Sequence, residues 1–243
     1  MIPASLTPPL SADGSSAQPP AITRTGLQQD ALRRHLAERH PDMPLWGDAD
    51  HRRSIEDMLA RRSAASRAFD GVFVFAYGSL IWNPCVDVAE RRTARLHGYH
   101  RDFRLRIEMG RGTPETPGLM LALVGGGSCR GMALRIPSAN LYDELLLIWR
   151  REMLTGAYRP RGVDLATPDN PVPAIAFVAN QGDARYVPRL DEATTAEYLR
   201  TGRGDLGTCA EYLDKTVTDL RARGLRDRRL ERLWRMVGEA GSD

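Results

Sequence analysis

The first residues that could do chemistry stand at the end of an apolar run, residues 72–82 with the sequence VFVFAYGSLIW. Five apolar residues rich in Val and Phe predict a buried strand that breaks at Gly78 and Ser79. A glycine here lets the backbone take a positive φ or approach a ligand closely. Backbone N–H groups in such a loop can bind a carboxylate or a phosphate. The alternative is an ordinary strand-to-turn junction with a buried Tyr77.

The second candidate is Glu152, in a helix predicted over roughly residues 138–155. Ser138 is the expected N-cap, and Gly156 is the expected C-terminal stop. At 100° per residue, Glu152 falls on the same face as Leu145 and Ile148. A carboxylate on an apolar face is costly unless it has a partner or a task, and desolvation would raise its pKa toward the range of a general base.

Two structural interpretations of Glu152 compete with the catalytic one. The carboxylate could form a buried ion pair with an arginine of a neighbouring strand, Arg104 or Arg106, or it could reach past the apolar stripe to water. Arg150 and Arg151, by contrast, fall on the face of the helix that we expect to be solvated.

The elements that must position these residues follow from periodicity. Residues 27–39 and 49–66 are predicted helices, and they would cover a domain that starts near Gly71. A series of strands follows, with residues 125–128 (GGGS) predicted as a turn between two of them. Short links rule out an all-parallel sheet, so we expect an α+β fold with a mixed or antiparallel sheet curled toward a barrel and flanked by helices. The predicted strands span residues 92–96, 103–108, 119–124, 130–136, 163–166 and 174–179, and the closing helices span residues 191–201, 208–223 and 227–238.

Composition narrows the class of protein. A net charge of +3 in 243 residues gives no argument for nucleic-acid binding. No apolar run reaches the roughly 20 residues of a membrane helix, and no secretory signal is recognisable. The three cysteines are odd in number, widely spaced and unlike any zinc motif, so we expect a reducing, cytoplasmic location. Residues 1–25, rich in Pro, Ser and Ala, are predicted to be a flexible tail.

Several motifs taken together resemble the ChaC family of γ-glutamylcyclotransferases, over about residues 70–240. The motifs that carry the resemblance are FAYGSLIWNP at 75–84, GYH at 98–100, RGTP at 111–114 with PG at 117–118, GMAL at 131–134, WRREMLTG at 149–156 and LGTCAEYL at 206–213. The resemblance implies a small mixed β-barrel of γ-glutamylcyclotransferase type with flanking helices. It also implies glutathione as substrate, cleaved to 5-oxoproline and cysteinylglycine. Residues 26–70 would then be an N-terminal helical extension, and residues 71–243 the catalytic domain.

The resemblance also assigns roles to residues. Glu152 is expected to be the acid/base, and Tyr212 is a candidate hydroxyl at the site unless it is simply a packed helix residue. The substrate-binding loop is expected to comprise Ala76, Tyr77, Gly78, Ser79, Leu80 and Ile81. Ala76 stands where some members of the family carry Gly, which matters little if its φ is negative.

Other chemistry is less well supported. Cys85 follows Asn83 and Pro84 without an obvious histidine partner, and His97 and His100 are near it in sequence only. We therefore expect neither a Cys–His mechanism nor a metal or cofactor. Two other functions remain open. One is a cyclotransferase for other γ-glutamyl peptides or amines. The other is a non-enzymatic regulator of a partner such as a cation transporter, which the family's older name implies.

Overall fold

The computed structural model describes residues 22–239, and the elements are numbered in chain order. Four helices come first, followed by a strand-rich middle and a helical C-terminal part. The helices are α1 Arg24–Gln28, α2 Ala31–Arg39, α3 Asp48–Ala60, α4 Ala64–Arg67, α5 Leu141–Glu152, α6 Glu192–Thr201, α7 Cys209–Ala222 and α8 Arg228–Glu239. The strands are β1 Val72–Ala76, β2 Glu90–Ile107, β3 Gly118–Ile136, β4 Tyr158–Ala166, β5 Val172–Ala179, β6 Arg203–Gly204 and β7 Gly207–Thr208.

Five of the strands close into a barrel in the order β1-β3-β2-β4-β5. The pairs β1–β3, β2–β3, β2–β4 and β4–β5 are antiparallel, and β1 closes the barrel by pairing with β5 in parallel. The prediction of an α+β fold with a mixed barrel and flanking helices is confirmed. The two-residue strands β6 and β7 form a separate hairpin that the sequence did not predict.

The predicted turn at residues 125–128 is wrong, because these residues lie inside β3. Four short strands were predicted in this part of the chain. The structure has two long strands instead, β2 and β3, which pair along almost their whole length. Gly98, Gly126 and Gly127 have positive φ, and the register shifts between His97 and Tyr99. Glycine and a β-bulge bend the ribbon here without reversing it. The chain reverses between β2 and β3, in the segment of residues 108–117.

The core of the barrel begins with β1, whose five residues are all buried. Helix α5 packs its apolar face on the barrel, and the rings of Trp149 and Phe177 meet edge to face with centroids 5.0 Å apart. Ser138 is not the N-cap of this helix, because its hydroxyl donates to Asp70 and Asn140 occupies the cap position. Gly156, at φ 71°, follows the helix end as expected.

Two arginines on the face of α5 that was predicted to be solvated are covered, whereas Asp143 on that face is exposed as expected. Arg150 donates to both carboxylate oxygens of Asp48 on α3, and the side chain of Arg151 is only 5% exposed. The helical wheel could not anticipate this, because the covering helices come from a part of the chain about 100 residues earlier. None of the described helices is both long enough and apolar enough to cross a membrane.

The N-terminal boundary at residue 25 also needs correction. Helix α1 begins at Arg24, and the Arg24 guanidinium pairs with both oxygens of Glu144, a carboxylate that is 1% exposed. Residues 22–25 are therefore part of the fold. The rest of the predicted tail, residues 1–21, lies outside the described residues.

Candidate active site

A cavity of about 520 Å³ opens at one end of the barrel. Its wall combines the loop after β1, the end of α5, the segment after β2, the start of α7 and one face of α2. Glu152 and Tyr212 both line it, although 60 residues separate them in sequence. The barrel and its flanking helices thus bring the candidate acid/base, Glu152, and the candidate hydroxyl, Tyr212, to one cavity.

Glu152 is the last residue of α5, and its side chain is 13% exposed. Its Oε1 lies 3.1 Å from the Nε of Arg151. Burial raises the pKa of the Glu152 carboxyl above its ordinary value, and the charge of Arg151 only partly opposes that rise. The alternative interpretation, in which Glu152 pairs with Arg104 or Arg106, does not hold, because Arg104 donates to the Val187 carbonyl and Arg106 pairs with Glu108.

Four of the six predicted loop residues line the cavity: Tyr77, Gly78, Ser79 and Leu80. Ala76 does not line it, because it is the last residue of β1 and pairs with Met132 of β3. Ile81 does not line it either. Its side chain is buried in the core, and its N–H donates to the Gly78 carbonyl at 2.9 Å.

Several backbone donors of this loop have no partner in the described chain. Within residues 22–239, the N–H groups of Gly78, Ser79 and Leu80 have no hydrogen-bond acceptor, whereas Ile81 and Asn83 donate within the turn. Consecutive unsatisfied N–H groups in a concave loop are the arrangement that binds carboxylates. The loop therefore has backbone donors that no acceptor in the described chain occupies.

Two hydrogen bonds at Tyr77 hold the loop in place. The guanidinium of Arg101, 6% exposed, donates from Nη1 to the Tyr77 carbonyl at 2.8 Å. The Tyr77 hydroxyl donates to the Phe177 carbonyl at 3.0 Å, inside the barrel. The Tyr77 side chain is thus a structural anchor for the loop that follows it.

A glycine at position 78 lets the Tyr212 hydroxyl approach the backbone closely. It is not there to allow a positive φ. Its φ is outside the left-handed region, but a Cβ added there would lie 2.8 Å from the hydroxyl oxygen of Tyr212. Tyr212 is 3% exposed, and burial, followed by the nearby charge of Glu152, raises its pKa well above the ordinary value. Tyr212 therefore enters the cavity as a neutral hydroxyl beside the loop.

Sequence reasoning missed several cavity residues that carry a charge or a hydroxyl, among them Arg111, Arg151 and Tyr158. Arg111 donates to the Thr208 carbonyl at 2.8 Å and lies over the Tyr212 ring, and burial lowers the pKa of its guanidinium. Arg111 belongs to the RGTP motif, and this was the signal available in the sequence. Arg151 was assigned to the wrong face. Tyr158, whose hydroxyl donates to the Leu121 carbonyl at 2.8 Å, carried no signal.

Cys85 lies near the cavity but lacks the surroundings of a nucleophile. Its thiol lies 3.3 Å from the Ile22 carbonyl, and burial raises its pKa in spite of Arg151 nearby. His100 contacts the Gly126 carbonyl on the β2–β3 ribbon. Within residues 22–239, no three His, Cys, Asp or Glu side chains are grouped as metal ligands would be.

Comparison with known proteins places this geometry in a family. The model of the family described as ChaC-like protein matches residues 72–240. The chain is 38% identical over 184 residues to the glutathione-specific γ-glutamylcyclotransferase of Escherichia coli, covering 75% of this chain and 78% of the relative. It is 27% identical to the mouse glutathione-specific γ-glutamylcyclotransferase 1, covering 80% and 82% of the two chains.

The fold agrees with this result. A crystal structure of a glutathione-specific γ-glutamyl cyclotransferase from yeast superposes with a TM-score of 0.65, at 19% identity, and covers 70% of this chain and 97% of that one. Since the match to the family model covers most of the chain, this protein belongs to the ChaC-like family. The resemblance stated from the sequence motifs is confirmed.

Proposed function

We propose that this protein is a γ-glutamylcyclotransferase that degrades glutathione to 5-oxoproline and cysteinylglycine. The observation that carries the proposal is that one cavity holds a desolvated carboxylate, Glu152, and a loop of free N–H groups at residues 78–80. The family and the names of its relatives point to the same reaction.

The reaction is an intramolecular cyclisation that consumes no water. The α-amine nitrogen of the substrate attacks its own γ-amide carbonyl carbon, and a five-membered lactam closes. The C–N bond to cysteinylglycine then breaks, and the proton lost by the α-amine ends on the leaving nitrogen. Holding the two reacting groups together is worth about 7–11 kcal/mol relative to a bimolecular attack.

Glu152 is suited to move that proton. A carboxylate whose pKa is raised by burial takes a proton from the amine more readily than an exposed one, and returns it to the leaving group. Arg151, 3.1 Å away, limits the rise and keeps the carboxylate available as a base. Glu152 is therefore proposed as both base and acid.

The loop is suited to hold the γ-glutamyl arm bent. Its free N–H groups at Gly78, Ser79 and Leu80 would donate to the α-carboxylate, and this would place the α-amine near Glu152. Tyr212, with its hydroxyl against Gly78, is proposed to contact the same end of the substrate. Ala76 and Ile81, which were expected in this role, are left out because they face the core and not the cavity.

A cytoplasmic location remains part of the proposal. Cys85, Cys129 and Cys209 are all free thiols, as expected in a reducing compartment. The substrate itself is abundant only as a reduced thiol in such a compartment, so location and reaction fit together.

The proposal is tested by incubating the purified full chain with glutathione and, separately, with γ-glutamyl-alanine. We expect 5-oxoproline and cysteinylglycine in equal amounts from glutathione, and no glutamate. Release of glutamate would indicate hydrolysis and contradict the mechanism. Turnover of γ-glutamyl-alanine alone would favour the broader cyclotransferase, and binding of glutathione without any product would favour a regulator.

A further inference from the structure

The cavity has a wall that comes from outside the matched family region. Helix α2 and residue Ile22 precede Val72, where the match to the family model begins. Ile22, Leu32 and Leu36 nevertheless line the cavity together with Glu152. The N-terminal helices therefore do more than cover the barrel, because they shape the space in which the substrate must lie.

This wall is apolar. Leu32 and Leu36 are 8% and 6% exposed and pack with Leu154, and partly buried Met109 and Leu206 contact the same cluster. The γ-glutamyl arm carries an ammonium, a carboxylate and the reacting amide, all of which need polar partners. The part of a γ-glutamyl peptide that suits an apolar wall is the side chain of the residue that leaves.

The wall is fixed to the rest of the cavity by polar contacts to Asp205. Asp205, in the turn of the β6–β7 hairpin, contacts His35 Nε2 at 3.0 Å and Arg39 Nη1 at 2.9 Å on α2. The next residue, Leu206, donates its N–H to the Gly110 carbonyl at 2.7 Å. Helix α2, the hairpin and the segment after β2 are thus held together around one part of the cavity.

We propose that Leu32 and Leu36 of α2 form the subsite for the side chain of the leaving residue, and so set the size of side chain that the enzyme accepts. The inference rests on the proposed cyclotransferase function. For glutathione the occupant is the cysteinyl side chain, a small and weakly polar group that pairs well with leucine and methionine.

The test uses substrates that differ only in that side chain. Glutathione and S-butylglutathione present the same peptide with a small and a large leaving side chain. Leu36→Ala enlarges the subsite, so kcat/KM for S-butylglutathione relative to glutathione should rise about tenfold, the discrimination typical of a change of this size in an apolar pocket. Leu32→Ala, one turn away on the same helix face, should change the ratio in the same direction.

Leu27→Ala is the matched control. Leu27 is a leucine of the same N-terminal region, 2% exposed, that does not line the cavity. Its truncation should lower the melting temperature without moving the substrate ratio by more than about twofold. The ratio is unaffected by the fraction of protein that is folded, so loss of stability in any variant does not obscure it.

Two failures are distinguishable. If the parent protein forms 5-oxoproline from glutathione but the ratio is the same in the parent, Leu36→Ala and Leu32→Ala, α2 is only a cover and the inference is overturned. If the parent forms 5-oxoproline from neither substrate, the proposed function fails, and the inference fails with it.

Discussion

At the scale of single residues, the site depends on how the protein balances the charge of Glu152. Burial opposes ionisation, and Arg151 supports it from 3.1 Å. Arg151 is itself held by donating to the Asn83 carbonyl, just beyond the substrate loop. The carboxylate is therefore neither fully neutralised nor fully solvated, which is the condition that a general base needs.

Replacing Glu152 by Gln keeps the shape of the side chain but removes its ability to take a proton. Turnover of glutathione should fall by about 10²–10⁴-fold, the usual contribution of a positioned acid/base. Glutathione affinity should persist, because the loop contacts are unchanged, and calorimetric titration would measure it. A variant that loses most of its stability, or cyclises at near the parent rate, would show that Glu152 is a structural partner of Arg151 instead.

The pH dependence follows from the direction of the same pKa shift. The base must be ionised, so kcat/KM should fall as the pH drops through the Glu152 pKa, with a midpoint above the ordinary 4.5. Arg151→Met removes the charge that lowers this pKa, so the midpoint should move to still higher pH. Arg106→Met, at an exposed pair outside the cavity, is the control and should leave the midpoint unchanged. A midpoint that Arg151→Met leaves in place, or lowers, would contradict this assignment.

The same shift also affects stability, with a definite sign. Because ionised Glu152 is disfavoured in the folded protein, its penalty is complete above the folded pKa and absent below the unfolded one. Glu152→Gln should therefore raise the melting temperature relative to the parent at pH 8, and the difference should vanish near about pH 4. A difference that is independent of pH would exclude a raised pKa.

At the scale of elements, the site depends on loops and helix ends that the barrel holds close together. The β2–β3 ribbon is the longest pairing in the described chain, and it bends at glycines. The bent ribbon is continuous: its strands belong to the barrel, and the segment that joins them carries Arg111 to the cavity. Glycine is needed at the bend because the backbone there has a positive φ. Substitutions at two neighbouring glycines, one with a positive φ and one without, can test this.

Gly126→Ala and Gly125→Ala form such a comparison. A Cβ meets no atom within 4 Å at either position, but only Gly126 has a positive φ, of 96°. Gly126→Ala should lower the free energy of unfolding by about 1–2 kcal/mol, the cost of a left-handed conformation for an L-residue. Gly125→Ala should change it by less than about 0.5 kcal/mol. Equal effects in urea unfolding would show that φ is not the cause.

At the scale of the whole molecule, a partly buried ion pair ties the N-terminal helices to the helix that packs on the barrel. Glu144, on α5, is buried and ionised because it accepts from Arg24 of α1 and from the Asp87 N–H. Although burial alone would raise the Glu144 pKa, these hydrogen bonds hold it below its ordinary value. The pair links the first described helix to a helix more than 100 residues later in the chain.

Removing residues 1–25 should therefore destabilise the protein. A chain starting at Gly26 loses Arg24 and leaves a buried carboxylate without its cation, so the free energy of unfolding at pH 7 should fall by about 1–3 kcal/mol. Arg24→Met in the full chain should give a similar loss, while a chain starting at Ile22 keeps the pair. Because the Glu144 pKa is lowered by the pairing, the loss should diminish as the pH falls through it. Unchanged unfolding of the Gly26 chain would restore the predicted boundary at residue 25.

The sequence by itself determined what local patterns and motifs encode. The apolar run before Gly78 gave β1, the helical spacing around Leu145 gave α5, and the motifs gave the family. It also singled out Glu152, because a carboxylate on an apolar stripe is visible without coordinates. The errors inside β3 arose because a glycine that bends a strand and a glycine that turns it look the same in sequence.

Only the tertiary structure decided which faces are covered and which groups meet. Arg151, next to Glu152 in sequence, donates to the Asn83 carbonyl 68 residues earlier, and Gly78 lies against the hydroxyl of Tyr212 from a helix much later in the chain. The same packing removed Ile81 from the loop surface and brought Leu36 into the cavity. Periodicity defines the faces of one element but not the element that packs against each face, because that contact depends on the path of the whole chain.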